Sequence, residues 1–157
     1  MAAQYKNQVR IIGGEWKRRQ LKFPQVEGLR PPPDRVRETL FNWLGQDCTG
    51  MVCLDLFAGS GALGFEDASR GAAQVTMVDD SSAVVAQLEA VKTKLNAAQV
   101  ALVRGDASQL RLRAVEFVRH AAHGLADGGK GLIMIAVLLG CAGILASVLS
   151  ASGLGSK

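Results

Sequence analysis

Three carboxylates and three glycines carry the chemistry that can be read directly from this chain. Residues 54–66, LDLFAGSGALGFE, run from an apolar strand pattern carrying Asp55 into a turn, and Gly59, Gly61 and Gly64 fit G-x-G-x-x-G. Such a turn brings backbone close to a nucleotide-like ligand and aims the following helix at it. Asp79 ends the next apolar run, and Asp106 follows a third, Val100 to Val103. A dinucleotide would set its pyrophosphate at the helix start near Gly61, where the charge of Asp55, four residues before Gly59, opposes it. S-adenosylmethionine (AdoMet) has no phosphate, and its methionine end carries an ammonium that an acid can hold. Asp79 can accept from ribose hydroxyls, as acids at this place do in nucleotide folds, and Asp106 from the adenine amino group. Three acids after three successive strands therefore favour AdoMet over NAD. Each has a plainer alternative: Asp106 can cap a helix near Ser108, Asp79 and Asp80 can cap the next one, and Gly64 can serve helix–strand packing alone.

These residues need a frame that delivers them to one edge. Val52 to Phe57, Val75 to Val78 and Val100 to Val103 read as strands. Ala62 to Arg70, closed by Gly71, and Ser82 to Asn96 read as helices, the second with Val84, Leu88, Val91 and Leu95 on one side. Alternation of strand and helix implies right-handed crossovers and a parallel sheet. Upstream, Val9 to Ile12 and Gln20 to Phe23 form a hairpin through Gly13-Gly14. Pro31-Pro32-Pro33 is a stiff spacer, and Asp34 an N-cap for a helix with Val36, Leu40, Phe41 and Leu44 on its apolar face.

At 157 residues the chain is long enough for one real core. Its net charge of +4 is unevenly spread: residues 1–37 hold nine Lys or Arg against three acids, +6, and the remainder −2. Lys17-Arg18-Arg19 after the Gly-Gly turn, with Tyr5 and Trp16 interspersed, points to a polyanion such as RNA. The alternative is a solvated N-terminal arm. Cys48, Cys53 and Cys141 have no metal-ligand spacing and no disulfide pattern, so no metal is expected and Cys53 reads as a buried thiol. The polar first residues lack a signal-peptide core, which sets the expectation of a cytoplasmic protein.

RIIGGEWKRRQL, RPPPDRVRETLFNWL, CLDLFAGSGALGFE and SRGAAQVTMVD together resemble the RsmD-type methyltransferases, from about Val9 to Asp106. That resemblance implies a Rossmann-like AdoMet-dependent α/β sandwich with a mostly parallel sheet, incomplete at its C-terminal side. It also implies methyl transfer to N2 of a guanine in small-subunit (16S) ribosomal RNA. By it, Asp55, Phe57, Gly59, Ser60, Gly61, Asp79 and Asp106 bind the cofactor. Arg10, Lys17, Arg18 and Arg19 belong to an RNA-facing extension, and Arg35, Arg37 and Thr39 to the segment flanking the pocket. The partner implied is ribosomal RNA or the small ribosomal subunit, met by a monomer. The expected division is a basic hairpin and helix at 1–45, the cofactor core at 46–130, and an apolar tail at 131–157. Two departures weaken the pocket: Asp79-Asp80 stands where the family has Glu and a basic residue, and Asp67 where a small apolar residue is expected.

The large departure is downstream. Enzymes of this kind carry an Asp/Asn-Pro-Pro-aromatic motif that holds the target amino group and stacks on the extruded base. All four prolines here lie at or before Pro33, and the only aromatic beyond Phe65 is Phe117. No catalytic residue can therefore be assigned, and losing that alignment costs most of the rate. A catalytically impaired AdoMet- or RNA-binding module is the alternative function. From about Ser108 the resemblance stops, and Leu132 to Leu149 is an uncharged, mostly apolar run of eighteen that includes Gly140, Gly143 and Ser147. Three readings compete: a fourth strand from Leu132 to Leu139 followed by a short helix, a tail anchor of near-spanning length, and a frameshift near codon 108. The strand is preferred.

Overall fold

The structure, a computed structural model, describes residues 7–107 and the backbone of 132–135. Four parallel strands form its centre: β3 (Val52–Asp55), β4 (Gln74–Asp79), β5 (Val100–Arg104) and β6 (Leu132–Ile135). They lie in the order β5-β4-β3-β6. The chain steps outward from β3 through β4 to β5, then resumes on the other side of β3. That reversal puts a topological switch point at the carboxyl end of β3, where open α/β sheets bind ligands. Asp55 is the last residue of that strand.

The fourth strand bears out the preferred reading of the apolar run over its described part: Leu132–Ile135 pairs with Val52–Asp55 in parallel register. The rest of the tail, with residues 108–131, lies outside the described residues. Among those described, no helix is long and apolar enough to cross a membrane.

Helix α2 (Ala62–Ser69) links β3 to β4 and is buried along its whole length. At Gly64 a Cβ would sit 2.6 Å from Cγ of the buried Met77, so this glycine lets helix and strand close together, as its plainer reading held. Helix α3 (Ser82–Leu95) links β4 to β5 and buries the expected Val84, Leu88, Val91 and Leu95. Its N-cap is Ser81, whose side chain accepts from the Val84 N–H at 3.4 Å, rather than Asp79 or Asp80.

The hairpin is β1 (Gln8–Arg10) and β2 (Gln20–Lys22), antiparallel, with Val9 opposite Leu21. It packs into the same apolar cluster as the α/β unit: Val9, Ile11, Trp16, Leu21 and Phe23 join Phe41, Phe65 and Val75. Helix α1 (Asp34–Leu44) differs from expectation in two ways. Its N-cap is Pro33, with no side-chain cap bond, because the Asp34 carboxylate turns to Arg10 and Arg37 instead. Its inward face is Arg37, Leu40 and Phe41, while Val36 is 47% exposed. Arg37, not Val36, takes the first inward position of the helical stripe.

Candidate cofactor pocket

A pocket of about 250 Å³ opens at the carboxyl end of β3. One wall is the loop after β3, with Asp55, Phe57, Gly59 and Ser60; Asp79 closes one side and the strap Gly28–Pro32 the other. The loop adopts its shape because Gly59 (φ 53°) and Gly61 (φ 78°) take left-handed conformations that side-chain-bearing residues resist. A Cβ at Gly61 would also lie 2.6 Å from the Phe65 ring, and one at Gly59 2.8 Å from Leu29 of the strap.

Asp79 fixes this loop. Its carboxylate accepts from the Gly59 N–H at 3.0 Å and from the Ser81 N–H at 3.0 Å, so one side chain ties the glycine turn to the head of α3. A carboxylate has about four acceptor directions, which leaves capacity for ligand hydroxyls.

Asp55 is only 1% exposed. One oxygen accepts from the Phe57 N–H at 3.1 Å, and the other has no hydrogen-bond partner. Burial pushes its pKa up to about 7; the Phe57 N–H works against that rise, and the nearby charge of Asp79 adds to it. A buried acid with one orphaned oxygen, in the wall of a pocket, lacks a cationic donor. An ammonium group supplies both missing items, a proton donor and a positive charge, so the residues fit the methionine end of AdoMet.

The other expected residues divide. Phe57, 44% exposed, lines the pocket, and Ser60 lines it from a buried position. Gly61 shapes the turn without lining the cavity. Asp106 is exposed beyond β5, on the edge where the pocket opens but outside its lining. Arg10, Lys17, Arg18, Arg19 and Arg35 are all exposed on the hairpin side and on α1, open to a polyanion.

Arg37 is a correction. It is wholly buried, its guanidinium bonded to the Pro32 and Arg10 carbonyls and to Asp34 and Glu66, so it cannot touch RNA. Trp16 is likewise 6% exposed and spent on the core, where its amide hydrogen bonds to Ser69. Tyr5 lies outside the described residues. Cys53 is the buried thiol expected, its pKa raised by burial.

The strap Gly28–Pro32 was not among the candidate residues. Its prolines read as a spacer, and Arg30 counts only as one of the basic residues of the N-terminal region. Trp43, 72% exposed on α1, was also passed over.

A sequence model of the family described as conserved hypothetical protein 95 matches residues 9–121. The chain belongs to this family. The match also carries the family character past Ser108, beyond the motifs that show the resemblance. Ribosomal RNA small subunit methyltransferase D of Escherichia coli K12 is 50% identical over 100 residues, covering 64% of this chain and 50% of its own length. The Haemophilus influenzae protein of the same name is 52% identical over 84 residues, covering 54% and 44% respectively. The chain thus spans about half the length of these curated relatives. A solved Escherichia coli structure named as the methyltransferase yhhF superposes with a TM-score of 0.60 at 46% identity, over 66% of this chain and 55% of that one. A Thermus protein of solved structure superposes with a TM-score of 0.56 at 30% identity, over 80% and 67%. The resemblance to the RsmD type holds, and the fold is the Rossmann-like methyltransferase fold.

Proposed function

We propose that this chain is the cofactor-binding and RNA-facing part of an AdoMet-dependent methyltransferase acting on N2 of a guanine in 16S ribosomal RNA. The observation that carries the reading is the orphaned, buried Asp55 oxygen in a pocket shaped by a glycine turn. The names of the relatives supply the substrate class. When bound, AdoMet supplies a methyl group activated on a sulfonium. Asp55 holds the ammonium end, Asp79 accepts from the ribose while it anchors Gly59, and Phe57 offers its exposed ring to the cofactor. Asp106 keeps the adenine-directed role from its place on the same edge. Arg10, Lys17, Arg18, Arg19 and Arg35 present donors to RNA phosphates. On this reading the chain works as a monomer in the cytoplasm, where ribosomes are methylated.

The missing Asp/Asn-Pro-Pro-aromatic motif favours a second reading, a module that binds AdoMet and RNA and transfers methyl groups slowly. Calorimetric titration with AdoMet, followed by transfer of labelled methyl to 16S RNA, separates them. Saturable binding is expected, weakened about tenfold or more in Asp79→Ala, which loses the hydrogen bonds from Gly59 of the loop and from Ser81 at the head of α3. A folded chain that does not bind AdoMet contradicts both readings.

The pocket also sets a pH profile. Asp55 must be ionised to hold the ammonium, and with a pKa of about 7 it is largely protonated in mild acid. Binding then releases a proton, so affinity rises as pH climbs towards about 7 and levels above it. The Asp55→Asn variant is expected to bind weakly at every pH and to lose the profile. An unchanged profile in that variant would assign the titration to another group.

A further inference from the structure

One guanidinium joins the strap, the hairpin and α2. Arg37, wholly buried, donates from Nε to the Pro32 carbonyl at 3.2 Å, which holds the strap over the pocket. From Nη1 it donates to the Arg10 carbonyl of β1 at 2.8 Å and lies 3.5 Å from Glu66 of α2, the helix that the glycine turn opens. From Nη2 it donates to Oδ1 of Asp34 at 2.5 Å. The other Asp34 oxygen takes the Arg10 side chain, Nη2 at 2.8 Å. Arg10 and Asp34 are open to water, their side chains 56% and 41% exposed, whereas Arg37 is not. Asp34 therefore stands between a surface arginine on the basic hairpin and the buried arginine that holds the pocket strap.

We propose that Arg37 is a positioning residue and Asp34 the joint through which RNA bound on the hairpin changes cofactor affinity. The inference rests on the proposed function, since it needs both ligands. A phosphate that takes Arg10 removes one cation from Asp34, and its carboxylate then belongs to Arg37 alone. The exchange is easy because an exposed ion pair is worth only about 0–1 kcal/mol. Its consequence is larger, because the Arg37 fork is rigid and shared between Asp34 and the Pro32 carbonyl. Tightening one contact shifts the other, and Pro32 lines the pocket.

The test is the affinity of the full chain for S-adenosylhomocysteine, which binds without turnover, measured with and without a saturating single-stranded RNA oligonucleotide. In the wild type the RNA is expected to change that affinity about fivefold or more, and by linkage the cofactor must change RNA affinity by the same factor. Asp34→Asn, which loosens the Arg37 contact, should shift cofactor affinity by itself, leave RNA affinity within about twofold and abolish the coupling. Asp34→Glu, which restores the carboxylate, should recover it. A stability role alone would leave the coupling factor where it was. Independent binding of both ligands to the wild type overturns the inference and leaves the proposed function standing, as does coupling that survives in Asp34→Asn. A folded wild-type chain that binds neither ligand overturns both.

Discussion

Glu66→Gln is expected to destabilise the chain by about 3–5 kcal/mol, a large part of the roughly 5–15 kcal/mol that holds a domain together. Glu66 is wholly buried and gathers the N–H groups of Ile12 and Gly13 at 2.9 and 2.7 Å with the guanidinium of Arg70 at 2.9 Å. Arg37 lies beyond at 3.5 Å. The glutamine keeps the shape but removes the charge and turns an NH2 group towards donors. Two arginines then lose an anion where water cannot replace it. Burial disfavours the charge of Arg37, and Asp34 and Glu66 oppose that effect. The hairpin should loosen first, because Glu66 bonds two amides of its connecting loop to α2, leaving Ser69 to hold the other two. Urea unfolding followed by far-UV circular dichroism gives the number. A loss below about 1 kcal/mol would mean that Asp34 alone balances Arg37.

That network explains why the α/β part could be read from sequence and the seat of the hairpin could not. Strand and helix patterns around Leu54 to Asp79 depend on short-range hydropathy, which survives in a single sequence. Asp55, Gly59 and Asp79 stood out because acids at strand ends and glycines in turns are rare in a plain core. Arg37 and Glu66 break the same logic. Periodicity counts an arginine as outward, so the first inward position of α1 went to Val36, which the structure leaves 47% exposed. Nothing local marks Glu66 as the partner of amides 53 and 54 residues away in sequence. Trp16 misled for the mirror-image reason: an aromatic among lysines and arginines looks like a stacking platform, yet the hairpin folds it inward. The strap Gly28–Pro32 lines the pocket with Leu29 and Arg30 among its residues, and nothing local in the sequence ties that stretch to the glycine turn.

Asp67→Ala is expected to stabilise the chain at neutral pH by about 2–3 kcal/mol, the cost of a buried polar group left without partners. Asp67 is 1% exposed, and neither carboxylate oxygen has a partner in good hydrogen-bond geometry, the weakly donating Cys53 thiol being the neighbour that interacts with it. Burial raises its pKa well above the usual carboxylate range, and the charges of Asp55 and Glu66 raise it further. The sign of the pH dependence follows. A group whose pKa is higher in the folded state than in the unfolded one keeps the folded state proton-rich. Its contribution is full below the unfolded value near 3.8 and is lost as pH rises through the folded value. The wild type should therefore lose stability from about pH 4 upward, and Asp67→Ala should flatten much of that slope. The part that remains up to about pH 7 belongs to Asp55, whose raised pKa has the same sign. Saturating AdoMet should remove that remainder, because the ammonium holds Asp55 ionised, and should leave in place the larger, burial-driven Asp67 part. Thermal melts across pH, with and without the cofactor, in wild type and Asp67→Ala, resolve the two carboxylates. If AdoMet flattened the Asp67 part as well, the two acids would titrate as one coupled pair, and the pocket would reach through β3 to the core face of α2.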